Sequence, residues 1–159
     1  MSRSVCRSRA RSRARRSESG AAAIEFAIVA PLLIILVFGV ISFGIVFGQQ
    51  LALGNAAREA ARYGVVEGRT CGQVSTAAQD AAHTIGMSGS NVTVTVKRGA
   101  TAATATNVCG TSTTNPCKGS AVGDSIYVQL GFTSQVVIPM VVTENVALQS
   151  DGVFRCEYS

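Results

Sequence analysis

Charge is scarce in this chain. Only 14% of its 159 residues are charged, against ~25% in typical soluble domains. Hydrophobic residues reach 47%, and mean hydropathy is +0.32. An intrinsically disordered chain combines low hydrophobicity with high charge, so that class is excluded. An ordinary soluble enzyme domain fits poorly, because so much apolar surface must be hidden from water. Histidine is nearly missing: His83 stands alone, with no histidine partner for a metal site and no evident relay, and reads as an ordinary surface residue. No C-x-x-C pair occurs, which argues against a cysteine metal site. The long Thr/Ala/Gly/Asn-rich stretch 99–123 contains no acid and no histidine, so it offers little to catalysis. No nucleophile–base pair, phosphate loop or metal cluster points to an enzyme, and no cofactor is implied.

The charge that exists is unevenly placed. Formal net charge is +5. Residues 1–20 carry seven arginines against the single acid Glu18, a local +6, whereas residues 21–159 carry seven basic and eight acidic side chains, a local −1. The basic pI of about 9.3 is thus a property of the head. Residues 1–20 are rich in Ser, Arg and Ala without apolar periodicity and, taken in isolation, are expected to be disordered. Arg3 to Arg16 read as a topogenic signal rather than a nucleic-acid site. Arg15-Arg16 is not read as a twin-arginine signal, because of the length of the following apolar run and the Glu25 inside it. Cys6 precedes that run and is no lipobox cysteine.

Phe26 to Gly48 is 23 residues without a charge. As a helix it is ~34 Å long, enough for a hydrocarbon core of ~30 Å. It exceeds a signal-peptide core of ~7–15 residues. The arginines in front of it predict a cytoplasmic N-terminus and an extracytoplasmic C-terminal part. Pro31 removes one backbone donor and predicts a kink. Gly44 and Gly48 have helix-packing spacing. From Gln49 to Val66 the chain is alanine-rich and free of proline, which predicts that the helix continues as a stem. Leu53, Ala56, Ala57, Ala60, Ala61 and Gly64 form a narrow small-residue face, with Arg58 and Arg62 opposite.

Beyond the stem, residues 73–86 place Val74, Ala77, Ala78, Ala81, Ala82 and Ile85 at helical spacing. Asn91 to Lys97 and Asp124 to Phe132 alternate as strands, residues 133–144 read as an apolar connection containing Pro139, and Val146 to Cys156 as a last strand. Asn91-Val92-Thr93 fits a glycosylation sequon but reads as a strand start. Cys71, Cys109, Cys117 and Cys156 are an even set that fits two disulfides in an oxidising compartment. The preferred pairing is Cys71–Cys156 with Cys109–Cys117, though spacing leaves three connectivities open. The predicted class is α+β: a single transmembrane helix at 21–48, a helical stem at 49–66, and a small extracytoplasmic domain at 67–159 with a short antiparallel sheet. Residues 1–20 are the basic cytoplasmic leader.

At the junction of head and apolar run stands Gly20-Ala-Ala-Ala-Ile-Glu25-Phe26. Glycine lets a protease approach the backbone. A carboxylate in an apolar segment is costly without a partner. A cut after Gly20 would free an ammonium at Ala21, which shares a helix face with Glu25. With these residues, A-I-E-F-A-I-V-A-P-L-L and Q-Q-L-A-L-G-N-A-A-R-E-A-A-R-Y-G, the chain resembles class III prepilin-like precursors, and in particular the TadE-like family of tight-adherence pilus proteins. The resemblance implies a minor pseudopilin with a pilin-like domain, cut after Gly20 by an aspartic prepilin peptidase and supporting Flp/Tad pilus biogenesis, secretion and adhesion. It implies that Glu25 and Phe26 occupy the family's glutamate and aromatic positions, with Glu25 registering subunits. Implied partners are membrane lipid, the peptidase, other pilin or pseudopilin subunits and the Tad secretion machinery, without nucleic acid. The implied location is the cell membrane or the pilus itself. The alternative is an uncleaved, signal-anchored extracytoplasmic binding protein.

Overall fold

The computed structural model describes residues 11–138 and 142–157. Arg3, Cys6, Arg7, Arg9 and Pro139 therefore lie outside the described residues. Helix α1 spans Arg11–Gly64, 54 residues with Pro31 inside it, about 80 Å at ~1.5 Å per residue. It joins the apolar run and the stem without a break. It also starts earlier than the apolar run, taking in ten residues of the Arg-rich head. Extending an existing helix avoids the nucleation cost, and Arg and Ala are good helix formers. Along its length α1 changes environment. Phe26 and Phe43 are 74% and 73% exposed, whereas Leu53, Ala56, Ala57, Ala60 and Ala61 are fully buried. The helix contains a stretch long and apolar enough to cross a membrane, and none of that stretch is buried within the protein.

Helix α2 spans Cys71–Ala81 and opens with a capping box in which Thr70 and Gln73 satisfy each other's backbone donors. Such a cap stabilises by about 1 kcal/mol. Val74, Ala78 and Ala82 face the core. The expected apolar face fails at its end. The Ala82 N–H turns back to the carbonyls of Ala78 and Gln79, Gly86 takes a positive φ, and Ile85 is 75% exposed. Helical spacing alone could not show where the tight Thr84–Met87 bridge would stop the helix.

Four strands follow: β1 Thr93–Gly99, β2 Thr106–Asn107, β3 Ser125–Ile138 and β4 Val142–Arg155. They form one sheet in the order β2-β1-β3-β4, antiparallel throughout. The architecture is α+β, as expected, in two layers with both helices on one face of the sheet. Two expectations need correction. The described residues of 133–144 are strand rather than connection; Thr133–Ile138 and Val142–Glu144 extend a hairpin whose register runs from Ser125 opposite Arg155 to Ile138 opposite Val142. The β-branched residues Val136, Val137 and Ile138 favour extended backbone, and pairing satisfies their ladder groups. Within 99–123, Thr106–Asn107 pairs with Lys97 and Arg98, a two-residue strand too short to carry a periodic signal.

Helix and sheet meet through small residues. Ile126, Val128 and Leu130 of β3 are fully buried beneath α1. Opposite Val128 lies Gly152, and a Cβ added there would overlap the Ala57 carbonyl of α1. Gly64 makes a second close approach, where a Cβ would stand 2.8 Å from Ile126 Cδ1. Gly152→Val should therefore force helix and sheet apart. Overpacking of about 3 kcal/mol predicts a melting temperature lower by ~10 °C or more in thermal unfolding of the detergent-extracted protein. An unchanged melting temperature would contradict this packing.

Candidate functional site

The sequence-predicted processing residues share one exposed stretch of α1. Gly20, Ala21, Glu25 and Phe26 are all exposed, and a Cβ at Gly20 would meet nothing within 4 Å. Ala21 and Glu25 are one helical turn apart, the spacing at which side chains are neighbours. Glycine weakens a helix interior by about 1 kcal/mol relative to alanine, so the backbone opens more easily at Gly20 than at its alanine neighbours. Gly44 and Gly48 also face open space. Phe43 and Phe47 stack on the outer surface, with ring centroids 6.4 Å apart.

Polar residues tie the upper part of this helix to the domain. The Ser42 hydroxyl donates to the Val137 carbonyl at 3.2 Å. Gln49 Nε2 donates to the Ile85 carbonyl at 2.9 Å, and Gln50 Nε2 donates to the Gln149 carbonyl at 2.9 Å. Gln49 is only 4% exposed. These contacts link α1 to the turn after α2 and to both arms of the β3–β4 hairpin. Their signal in sequence is three polar side chains within or directly after an apolar run, which helical periodicity does not single out. Arg58 and Arg62 are exposed on the outer face of the stem; Arg58 Nη1 lies 3.5 Å from Asn55 Oδ1. His83 is exposed beyond the end of α2.

The four cysteines beyond the apolar run are all bonded, but not in the preferred pairing. Cys71 joins Cys109 with Cα atoms 5.6 Å apart, and Cys117 joins Cys156 at 5.7 Å. The Cys109–Cys117 and Cys71–Cys156 pairs are thus overturned. The reason is tertiary. The segment after Cys109 lies over the start of α2, where the Cys71 N–H donates to the Thr114 carbonyl at 2.7 Å and the Gly72 N–H to the Ser112 carbonyl at 2.8 Å. Cys117 is instead drawn to the sheet's end by Arg98, whose Nη1 donates to the Pro116 carbonyl at 3.0 Å and the Lys118 carbonyl at 2.6 Å. Arg98 Nε also lies 4.0 Å from Asp124 Oδ2, and the Cys156 N–H donates to the Asp124 carbonyl at 3.0 Å. The two bonds close sequence separations of 38 and 39 residues, worth about 4 kcal/mol each in the chain-entropy model.

A shallow groove of about 330 Å³ lies beside the loop, lined by Cys71, Ser75, Asn107, Cys109 and Ser112 among others. Its side chains supply hydroxyls, an amide and bonded sulfurs, groups suited to hydrogen bonding. A more open groove of about 540 Å³ lies across α2 and includes Tyr63, Thr70, Gln73 and Asp80.

An exposed apolar helix that becomes the core helix of a disulfide-bonded two-layer domain defines a helix-anchored α+β protein. Residues 20–62 match the model of the TadE family, described as TadE-like protein. Over its apolar helix and stem the chain is therefore similar to that family, as the resemblance implied. The match supports a Tad pilus-associated protein in general, and with the single apolar helix it suggests membrane anchoring. TadE-like pilus proteins are structural rather than enzymatic. No curated protein and no solved structure matches the chain.

Two measurements check the cysteine-loop geometry. Peptide mapping without reduction should recover Cys71 linked to Cys109 and Cys117 linked to Cys156; a Cys109–Cys117 peptide would refute this arrangement. Arg98→Ala should cost about 2 kcal/mol, the scale of lost hydrogen bonds from a charged donor, seen as a lower melting temperature that Arg98→Lys only partly restores.

Proposed function

We propose that this protein is a TadE-like minor pseudopilin. In this reading it is a structural, single-pass subunit that is cut after Gly20 by a prepilin peptidase and then supports Flp/Tad pilus biogenesis and adhesion. The observation that carries the reading is the family match, which begins at Gly20 itself and runs through the stem. The basic head lies in front of that match, as a removable leader would. The arginine-rich head keeps the N-terminus cytoplasmic, and the disulfide-bonded domain lies outside, where disulfides persist.

The chemistry of the junction supports the same reading. Cutting after Gly20 removes seven arginines and leaves Ala21 with a free ammonium. That ammonium is one turn from Glu25, so a carboxylate otherwise costly at the bilayer edge gains an ion partner. Within an assembly the same carboxylate can take the ammonium of a neighbouring subunit, which sets the axial register between apolar helices. Phe26 projects beside it from the exposed helix surface. Partners in this reading are membrane lipid, the peptidase, other pilin or pseudopilin subunits and the Tad secretion machinery.

N-terminal sequencing of protein extracted from membranes of a host with the peptidase should begin at Ala21. Gly20→Ile should preserve membrane insertion but leave the full leader attached and abolish incorporation into pili. A wild-type N-terminus at Met1 or Ser2 would sink the processing claim and favour the uncleaved, signal-anchored binding protein.

A further inference from the structure

The β3–β4 hairpin does not end above the apolar part of α1 but reaches back beside it. The Ser42–Val137 hydrogen bond fixes the level of its far end. Ser42 lies seventeen positions after Glu25, about 26 Å along the helix. With Glu25 at the inner boundary of a hydrocarbon core of ~30 Å, Ser42 still lies inside the outer boundary. Val137 is therefore carried to the level of the outer acyl chains. It is 49% exposed, and its neighbours Val136 and Ile138 are half-buried. Val136, Val137 and Ile138 carry no charge, and the nearest charge on the paired strand is Glu144, opposite Val136.

We propose that Val136, Val137 and Ile138 form a second membrane contact, a hairpin end that enters the outer lipid interface beside the apolar helix. The proposal rests on the membrane-anchored reading of α1 and deepens it. The occupant is lipid because the Ser42–Val137 hydrogen bond sets these residues beside the exposed apolar stretch of that helix. Two features limit the depth. Among the described residues the outer edge of β4 has no neighbouring strand in the sheet, and unpaired backbone groups are not tolerated in the hydrocarbon centre. Thr143, Glu144 and Asn145 are exposed and stand opposite Val137, Val136 and Gln135. Glu144 and Asn145 mark the water-facing limit, so entry is confined to the interfacial ~5–10 Å that amphipathic segments occupy. A helix held by its span alone can rotate about its own axis. A hairpin end in the interface fixes that rotation and the tilt of the domain, and so decides which domain face a neighbouring subunit meets.

The sequence contains no tryptophan, so a single introduced tryptophan reports its own surroundings. The full chain is reconstituted into phosphatidylcholine–phosphatidylglycerol vesicles, with or without bromine near the headgroup end of the acyl chains. Separate variants carry Val137→Trp, Thr143→Trp, Leu36→Trp in mid-helix, or Val122→Trp on the far side of the domain. Val137→Trp and Thr143→Trp should lose emission several-fold in brominated vesicles, while Val122→Trp keeps its emission. Leu36→Trp should be quenched by bromine placed deeper in the chains. Quenching at Leu36 without quenching at Val137 and Thr143 would overturn the hairpin contact and leave the anchor intact. Blue-shifted but unquenched emission at Val137, the sign of cover by protein such as a second copy, would overturn it equally. Failure to quench Leu36→Trp would overturn the membrane reading and the proposal with it.

Discussion

The contact between Ala57 of α1 and Gly152 of β4 sets the spacing between helix and sheet, and much of the domain follows from it. A helix can lie this close to a sheet only if both surfaces are small at the crossing. That explains the run of Ala56, Ala57, Ala60 and Ala61 on the buried face, each fully excluded from solvent. Small side chains pack closely but bury little apolar area, and burial stabilises at only ~25 cal/mol per Å². The larger core residues come from the other partners: Leu53, Val74, Ile126, Val128 and Leu130. A core this thin benefits from covalent ties. The disulfides supply them at two edges of the core, from the loop to the start of α2 and from the loop to the residue after β4.

The same helix must satisfy two solvents. Its first part presents Phe26, Leu36 and Phe43 outward, a surface suited to lipid or to neighbouring helices. Its last part is the centre of a water-exposed domain. Ser42, Gln49 and Gln50 carry the change between them, each giving a side-chain donor to a carbonyl of the domain. The domain is thereby held to the helix below its own core. If Glu25 registers the helix against others, as proposed, this joint would carry that register into the position of the domain.

Much of this was legible in the sequence where the signal is local or repetitive. The apolar run, the alanine-rich stem and its buried face follow from composition and helical spacing. The α+β class follows from alternating segments after it, and the Gly20–Phe26 pattern points to the same family whose model matches residues 20–62. What escaped depends on contacts distant in sequence. The short Cys109–Cys117 closure looks favourable on chain entropy, but Arg98 and the start of α2 draw the two cysteines apart. Residues 133–144 read as a connection because Pro139 and a continuous apolar run mask the alternation. Their pairing partner, and the helix beside them, become visible only in three dimensions. Ser42 and Gln49 look like minor interruptions of an apolar helix until their acceptors, 95 and 36 residues away, are known.

The central claim is that one unbroken helix joins the membrane-length apolar stretch to the domain core. Hydrogen–deuterium exchange of the full chain in lipid vesicles tests it most directly. Amides from Ser42 through Ala57 should exchange as slowly as those of the apolar stretch before them and the buried stem after them. A band of rapid exchange around Gly48 to Gln50, with protection on both sides, would show two helices joined by a hinge and would contradict the account.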